Sequence, residues 1–332
     1  MTNYLRCYKI TNNFLGYKTF CYFCTLMKQI ILIFSVFSLF ISCSGNAERQ
    51  FSDYVQPDDS AQLRIAVMPT LDCLPLYVAD ACGIFDENGL DVSLMPYTAQ
   101  MDCDTAFERG RANAIVTDLV RAQRIKDAGH ELEYVTATDA SWQLLTSHSS
   151  RIKHLRQLDD KMLAMTRFSA THFLSDKAVD SVRLKSERVF RIQVNDVNVR
   201  LGMLQADIMD ALLLPEPQAT SARNEKAIVL MDTRQTDNRL GVVVFSRRAA
   251  TQRQLNAFRK SYDLACDSIN DQGIGYFSHL IMKRCGVDKA TIDSLPDIQF
   301  NHAKAPRTID IERASSWLKL QNEKKDVDEQ GL

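Results

Sequence analysis

A short apolar run closed by a proline, then a polar loop, a helical pattern and a second apolar run, leave few folds open to a chain. Residues 63–96 carry that series. Leu63–Met68 is apolar and bounded by Pro69, as a short buried strand should be. Thr70 and Asp72 offer N-cap oxygens, and Pro75 suits a first helical turn because its missing N–H would be unpaired there anyway. Leu76, Ala79 and Cys82 or Gly83 share one helical face, Asn88-Gly89 supplies turn chemistry, and Asp91–Pro96 resumes as a strand. The unit is strand, helix, strand, with its loop at the carboxyl end of the first strand. Open α/β sheets bind ligands at that end.

The same residues resemble the start of the solute-binding proteins of ABC importers, in the group that includes the nitrate, sulfonate and thiamine-precursor binders. Gly83, Phe85, Gly89, Leu90, Asp91 and Val92 match its G-x-F/Y-x-x-x-G-L-D-V signature. The resemblance runs more loosely over residues 61–320. It implies an α/β type II periplasmic-binding-protein fold, with two βα lobes, a ligand cleft between them and crossing hinge strands. It also implies a small-molecule solute and an ABC permease as partners, a monomer, and no cofactor. Enzymes use this fold too, among them a pyrimidine-precursor synthase and a chorismate dehydratase, and a lipoprotein that senses a solute without an importer is a third reading.

Strand and helix patterns alternate along the rest of the chain. Residues 61–140 with 240–320 are expected as lobe 1 and residues 141–239 as lobe 2, with hinges near Thr138–Trp142 and Thr236–Leu240. Asp102 is a candidate cap for a helix to Gly110, Ser169 for one to Val182, and Pro217 opens another. From Lys319 the apolar period is lost, so residues 321–332 are expected to be disordered. At 332 residues, 45% hydrophobic and 24% charged, the chain is long enough for two lobes. A net charge of -1 gives no reason to expect nucleic acid. The six histidines are scattered without metal-ligand spacing, and neither a metal site nor a nucleophile with an adjacent base is expected.

Met27-Lys28, the apolar run Ile30–Ile41 and then Ser42-Cys43 read as a signal peptide ending in a lipobox, with Met27 as the start and Cys43 as the lipid site. Residues 1–42 would be leader and 43–60 a tether, placing the mature chain outside the inner membrane, on the periplasmic side, and joined to it by the lipid. The alternative is an anchor helix. In that oxidising space Cys73 and Cys103, which follow neighbouring strands, are expected to bond, and Cys266 and Cys285, on consecutive helices, could pair. Cys82 would then be a buried free thiol. All five reduced is the alternative, since spacing does not fix connectivity.

Candidate solute contacts sit where a strand gives way to a loop or helix start. They are Thr70, Asp72, Thr117 and Asp118 in lobe 1, and Arg167, Phe168, Ser169, Thr171 and Glu216 in lobe 2, while Asp139, Ser141 and Trp142 border the crossing. "TRFSATHFLSDKAV" and "ALLLPEPQAT" resemble family segments that enter the cleft, with Gln218 where an aromatic is often found. Plain capping is the other reading of Asp72, Thr117, Ser169 and Thr171. Acidic candidates outnumber Arg167, which favours a solute with a cationic or donor-rich ring over a simple sulfonate or nitrate, with Arg167 as the anion contact.

Overall fold

A computed structural model describes residues 58–330. The start at Met27, the apolar run, Cys43 and most of the tether lie outside the described residues. Two five-stranded sheets repeat one plan. The first has the order β2-β1-β3-β10-β4, from strands β1 (Leu63–Val67), β2 (Val92–Pro96), β3 (Ala114–Asp118), β4 (Leu132–Ala137) and β10 (Gly241–Ser246). The second has the order β7-β6-β8-β5-β9, from β5 (Trp142–Thr146), β6 (Lys161–Met165), β7 (Val189–Gln193), β8 (Ala211–Pro215) and β9 (Ile228–Asp232).

Each sheet holds one strand against the grain: β10 is antiparallel to β3 and β4, and β5 to β8 and β9. The cause is the path of the chain. β4 ends at the tip of the first sheet, and residues 138–141 carry the chain to the second, where β5 starts from the tip and runs away from it. β9 and residues 233–240 return it the same way into β10. The two α/β lobes thus face each other across the carboxyl ends of their parallel strands.

The crossing segments pack too closely for any side chain at Gly241. A Cβ there would stand 2.2 Å from Thr138 Oγ1 and 2.5 Å from the Ala140 Cβ. Thr138 N–H also donates to the Gly241 carbonyl at 3.0 Å, so the two crossings touch through backbone.

Helices cover the sheets: α1 (Leu74–Ala81), α2 (Gln100–Glu108), α3 (Leu119–Asp127), α4 (Ala170–Ser181), α5 (Val197–Gln205), α6 (Gln218–Asn224), α7 (Gln252–Gln272), α8 (Ser278–Cys285) and α9 (Thr308–Gln330). The long helix α7 starts on a capping box in which Thr251 and Gln254 satisfy each other's backbone N–H groups. Its Phe258 packs on Phe245 of β10, with ring centroids 5.0 Å apart, and fills the core of lobe 1.

Three expectations change. α2 begins at Gln100 after Ala99, so Asp102 lies inside the first turn and does not cap it. α9 continues to Gln330 where disorder was expected, since Glu, Lys and Gln are good helix formers that need no apolar face. The five described cysteines are free thiols, and Cys82 is exposed. Cys73 packs against Thr70 near Cys285, whereas Cys103 sits beside Asp104 and Arg121, so their side chains occupy different surroundings. The Cys266 thiol lies 3.4 Å from the Asn301 carbonyl.

Gly241→Ala should lower stability by about 1–3 kcal/mol through overpacking at the crossing. Gly202→Ala, where nothing lies within 4 Å of the added Cβ, should be neutral or raise it by up to about 1 kcal/mol. Thermal melts of the two variants side by side test this.

Candidate functional site

The strand tips of the two lobes enclose a gap of about 550 Å³, counting its open mouth. Met68, Thr70 and Asp72 reach it from the loop after β1, Gln100 from α2, and Val116, Thr117 and Asp118 from the end of β3. Trp142, Thr166, Ser169, Thr171, Asn195, Val197, Arg200 and Pro215 complete it from lobe 2. The lobes meet around the gap. Leu71 N–H donates to the Glu216 carbonyl at 2.8 Å, Gln218 Nε2 to the Pro69 carbonyl at 2.7 Å, and Val197 N–H to the Thr98 carbonyl at 3.2 Å. The conformation is closed.

The lobe 1 loop leaves its polar groups to the gap. Neither Thr70 nor Asp72 caps a helix: Cys73 precedes α1 without a side-chain cap. Asp72 Oδ2 instead accepts from Thr138 Oγ1 at 3.0 Å, and burial pushes its carboxyl above the usual range. Asp118 does cap α3, its Oδ1 accepting from Val120 and Arg121 N–H at 3.0 Å each. Burial pushes its carboxyl up to about 6, while Arg121 and backbone N–H groups, that of Ala170 across the gap included, pull it down. Behind it, buried Arg121 is paired with Asp104.

In lobe 2, Ser169 caps α4 by accepting from Thr171 N–H at 3.1 Å. Its hydroxyl donates to the Thr166 carbonyl, and Thr171 Oγ1 accepts from Thr166 N–H. These hydroxyls line the gap but are largely occupied by one another. Arg200 differs. It is 5% exposed, and its Nε and Nη1 are buried with no hydrogen-bond partner. Burial lowers its guanidinium to about 10.

The structure therefore brings seven of the sequence candidates to one gap: Thr70, Asp72, Thr117, Asp118, Trp142, Ser169 and Thr171. Glu216 lines a smaller adjoining space with Asp72, Asp139 and Ser141. Its carboxylate accepts from Thr220 N–H and Oγ1 and from Arg223, so its oxygens serve lobe 2 itself. Arg167 and Phe168 line neither space. Arg167 is exposed, and the Phe168 ring packs on His172, centroids 5.9 Å apart. Sequence reasoning missed Arg200. Its signal was available: Val197, Arg200 and Leu204 share the buried face of α5, and a lone arginine on such a face wants a partner.

A family model described as "NMT1/THI5 like" matches residues 70–238. A comparison with curated protein sequences finds no match. Among solved structures, the periplasmic aliphatic sulphonate binding protein SsuA of Escherichia coli is similar at 17% identity and TM-score 0.67, over 80% of this chain and 87% of that one. The alkanesulfonate-binding protein SsuA of Xanthomonas axonopodis pv. citri, bound to MOPS, is similar at 16% and 0.65, over 77% and 90%. The periplasmic nitrate-binding protein NrtA of Synechocystis PCC 6803 is similar at 12% and 0.60, over 69% and 68%. At these identities the likeness is one of fold.

Asp118 gives a pH test. Its carboxyl ionises near 3.8 when unfolded and near 6 when folded, so the folded state holds the extra proton between those values. Wild-type stability should fall, relative to Asp118→Asn, by on the order of 2 kcal/mol as pH rises from 4 to 7. Melting both proteins across that range measures it.

Proposed function

The chain belongs to the NMT1/THI5-like family, and we propose that it is the solute-binding component of an ABC-type importer, capturing a small organic solute by closure of its two lobes. The observation that carries this reading is the gap itself. Loops at strand ends from both lobes converge on one space with unspent hydrogen-bonding capacity, and the lobes are joined by two narrow crossings about which they can hinge. A solute touching both sides stabilises the closed form by its differential contacts there. The protein then hands the molecule unchanged to a permease and works as a monomer.

Anchoring through a lipid on Cys43 is part of the proposal, and the site would sit on the periplasmic side of the inner membrane. Among the described residues no helix is long and apolar enough to cross a membrane. Cys43→Ala should move the protein from the membrane fraction to the soluble one, and an unchanged distribution would remove the lipid from the account.

Mass spectrometry of material extracted from the purified mature chain tests capture. An intact small molecule is expected, and when it is added back, X-ray scattering should show a smaller radius of gyration. A molecule that is converted in solution by the protein would replace binding with catalysis.

A further inference from the structure

Arg200 is the least satisfied charged group facing the gap. A guanidinium stays protonated at any ordinary pH, and a buried charge without a partner is strongly destabilising. Its near neighbour Asp196 is already engaged: Oδ1 accepts from Asn198 and Val199 N–H at 2.8 and 3.0 Å, and Oδ2 from Thr98 Oγ1 at 2.5 Å. Arg200 therefore presents unpartnered guanidinium donors at Nε and Nη1, which suit an oxyanion such as a carboxylate, sulfonate or phosphonate.

The other charged groups lining the gap are acids. Asp118 spends one oxygen on the start of α3 and also takes the Ala170 N–H, and Asp72 receives the hydroxyls of Thr70 and Thr138. A carboxylate offers about four lone-pair sites, so both retain room to accept. With both ionised, two negative charges face the single positive charge of Arg200. A plain anion at Arg200 would face two carboxylates, and a plain cation would face the guanidinium.

We propose that the solute is dipolar, with an oxyanion held by Arg200 and a protonated amine or N–H donor taken by Asp118 and Asp72. This deepens the capture reading and rests on it. Both lobes line the gap, with Asp72 and Asp118 on one side and Arg200 on the other, so the two ends of a short molecule can meet opposite walls. The charges that bear on Asp118 are Arg121 on its own helix, Asp104 on α2, and the Ala170 N–H at the start of α4; those on Asp72 include Asp139. Ionised Asp118 holds a donor and repels an anion, so the two kinds of solute respond oppositely to pH. A dipolar solute binds more tightly as pH rises through about 6, and a plain anion binds more weakly.

The test uses matched probes, 2-aminoethanesulfonate, 3-aminopropanoate and 2-aminoethylphosphonate. Each is compared with the same chain lacking nitrogen, and with ethylammonium, by calorimetry and thermal shift at pH 5 and pH 7. The charged groups of any molecule extracted from the purified protein are read by mass spectrometry. At least one dipolar probe, or the extracted molecule, should bind about tenfold or more tightly than its single-ended counterparts, and more tightly at pH 7. Arg200→Gln should remove the preference for the oxyanion and Asp118→Asn the preference for the amine, with circular dichroism unchanged. A nitrogen-free anion that binds at pH 7 as tightly as its amino counterpart, or more tightly, overturns the dipole and leaves capture standing. A protein that carries no molecule and answers no probe overturns capture itself, and the dipole with it.

Discussion

The close approach of two crossing segments at Gly241 governs the molecule. Backbone lies against Thr138 and Ala140 where any side chain would collide. That contact fixes where the chain passes between sheets, and the passage fixes which way each sheet faces. Because every transfer occurs at a strand tip, the strand that enters the new sheet must run backwards relative to its neighbours. All the parallel strands of both lobes then end at one gap, and their loops have nowhere else to point.

Within that gap, proximity alone does not make a side chain available. The Ser169 and Thr171 hydroxyls are satisfied by each other and by the Thr166 backbone, and in the adjoining space Glu216 is taken up by Thr220 and Arg223. Arg200 stands apart because the structure leaves its Nε and Nη1 without a partner. Binding capacity follows from what the fold has not used.

Much of this was legible in the sequence where the signal is local. Ser169 and Asp118 are short polar residues directly before helical patterns, and both prove to be caps. The crossings near 138–142 and 236–240 could be read because strand patterns stop and restart there. Arg200 escaped notice because lacking a partner is a property of three-dimensional surroundings. Arg167 stood in the right place along the chain, but the positive φ of Phe168, at 51°, turns the segment so that its neighbour meets solvent. The cysteines failed as a guide for a related reason. Adjacent loops do not require adjacent side chains, and Cys73 turns under its loop toward α8.

The last helix has a consequence for motion. α9 lies along α3 in lobe 1, yet the indole N–H of Trp317 and the amide of Gln321 each donate to Asp176 of lobe 2 at 3.0 Å, where Arg191 also holds that carboxylate. The helix is a tether between the lobes. Any swing that parts the lobes must drag it along or break those two bonds, so the reach of an indole and a glutamine sets how wide the protein can yawn.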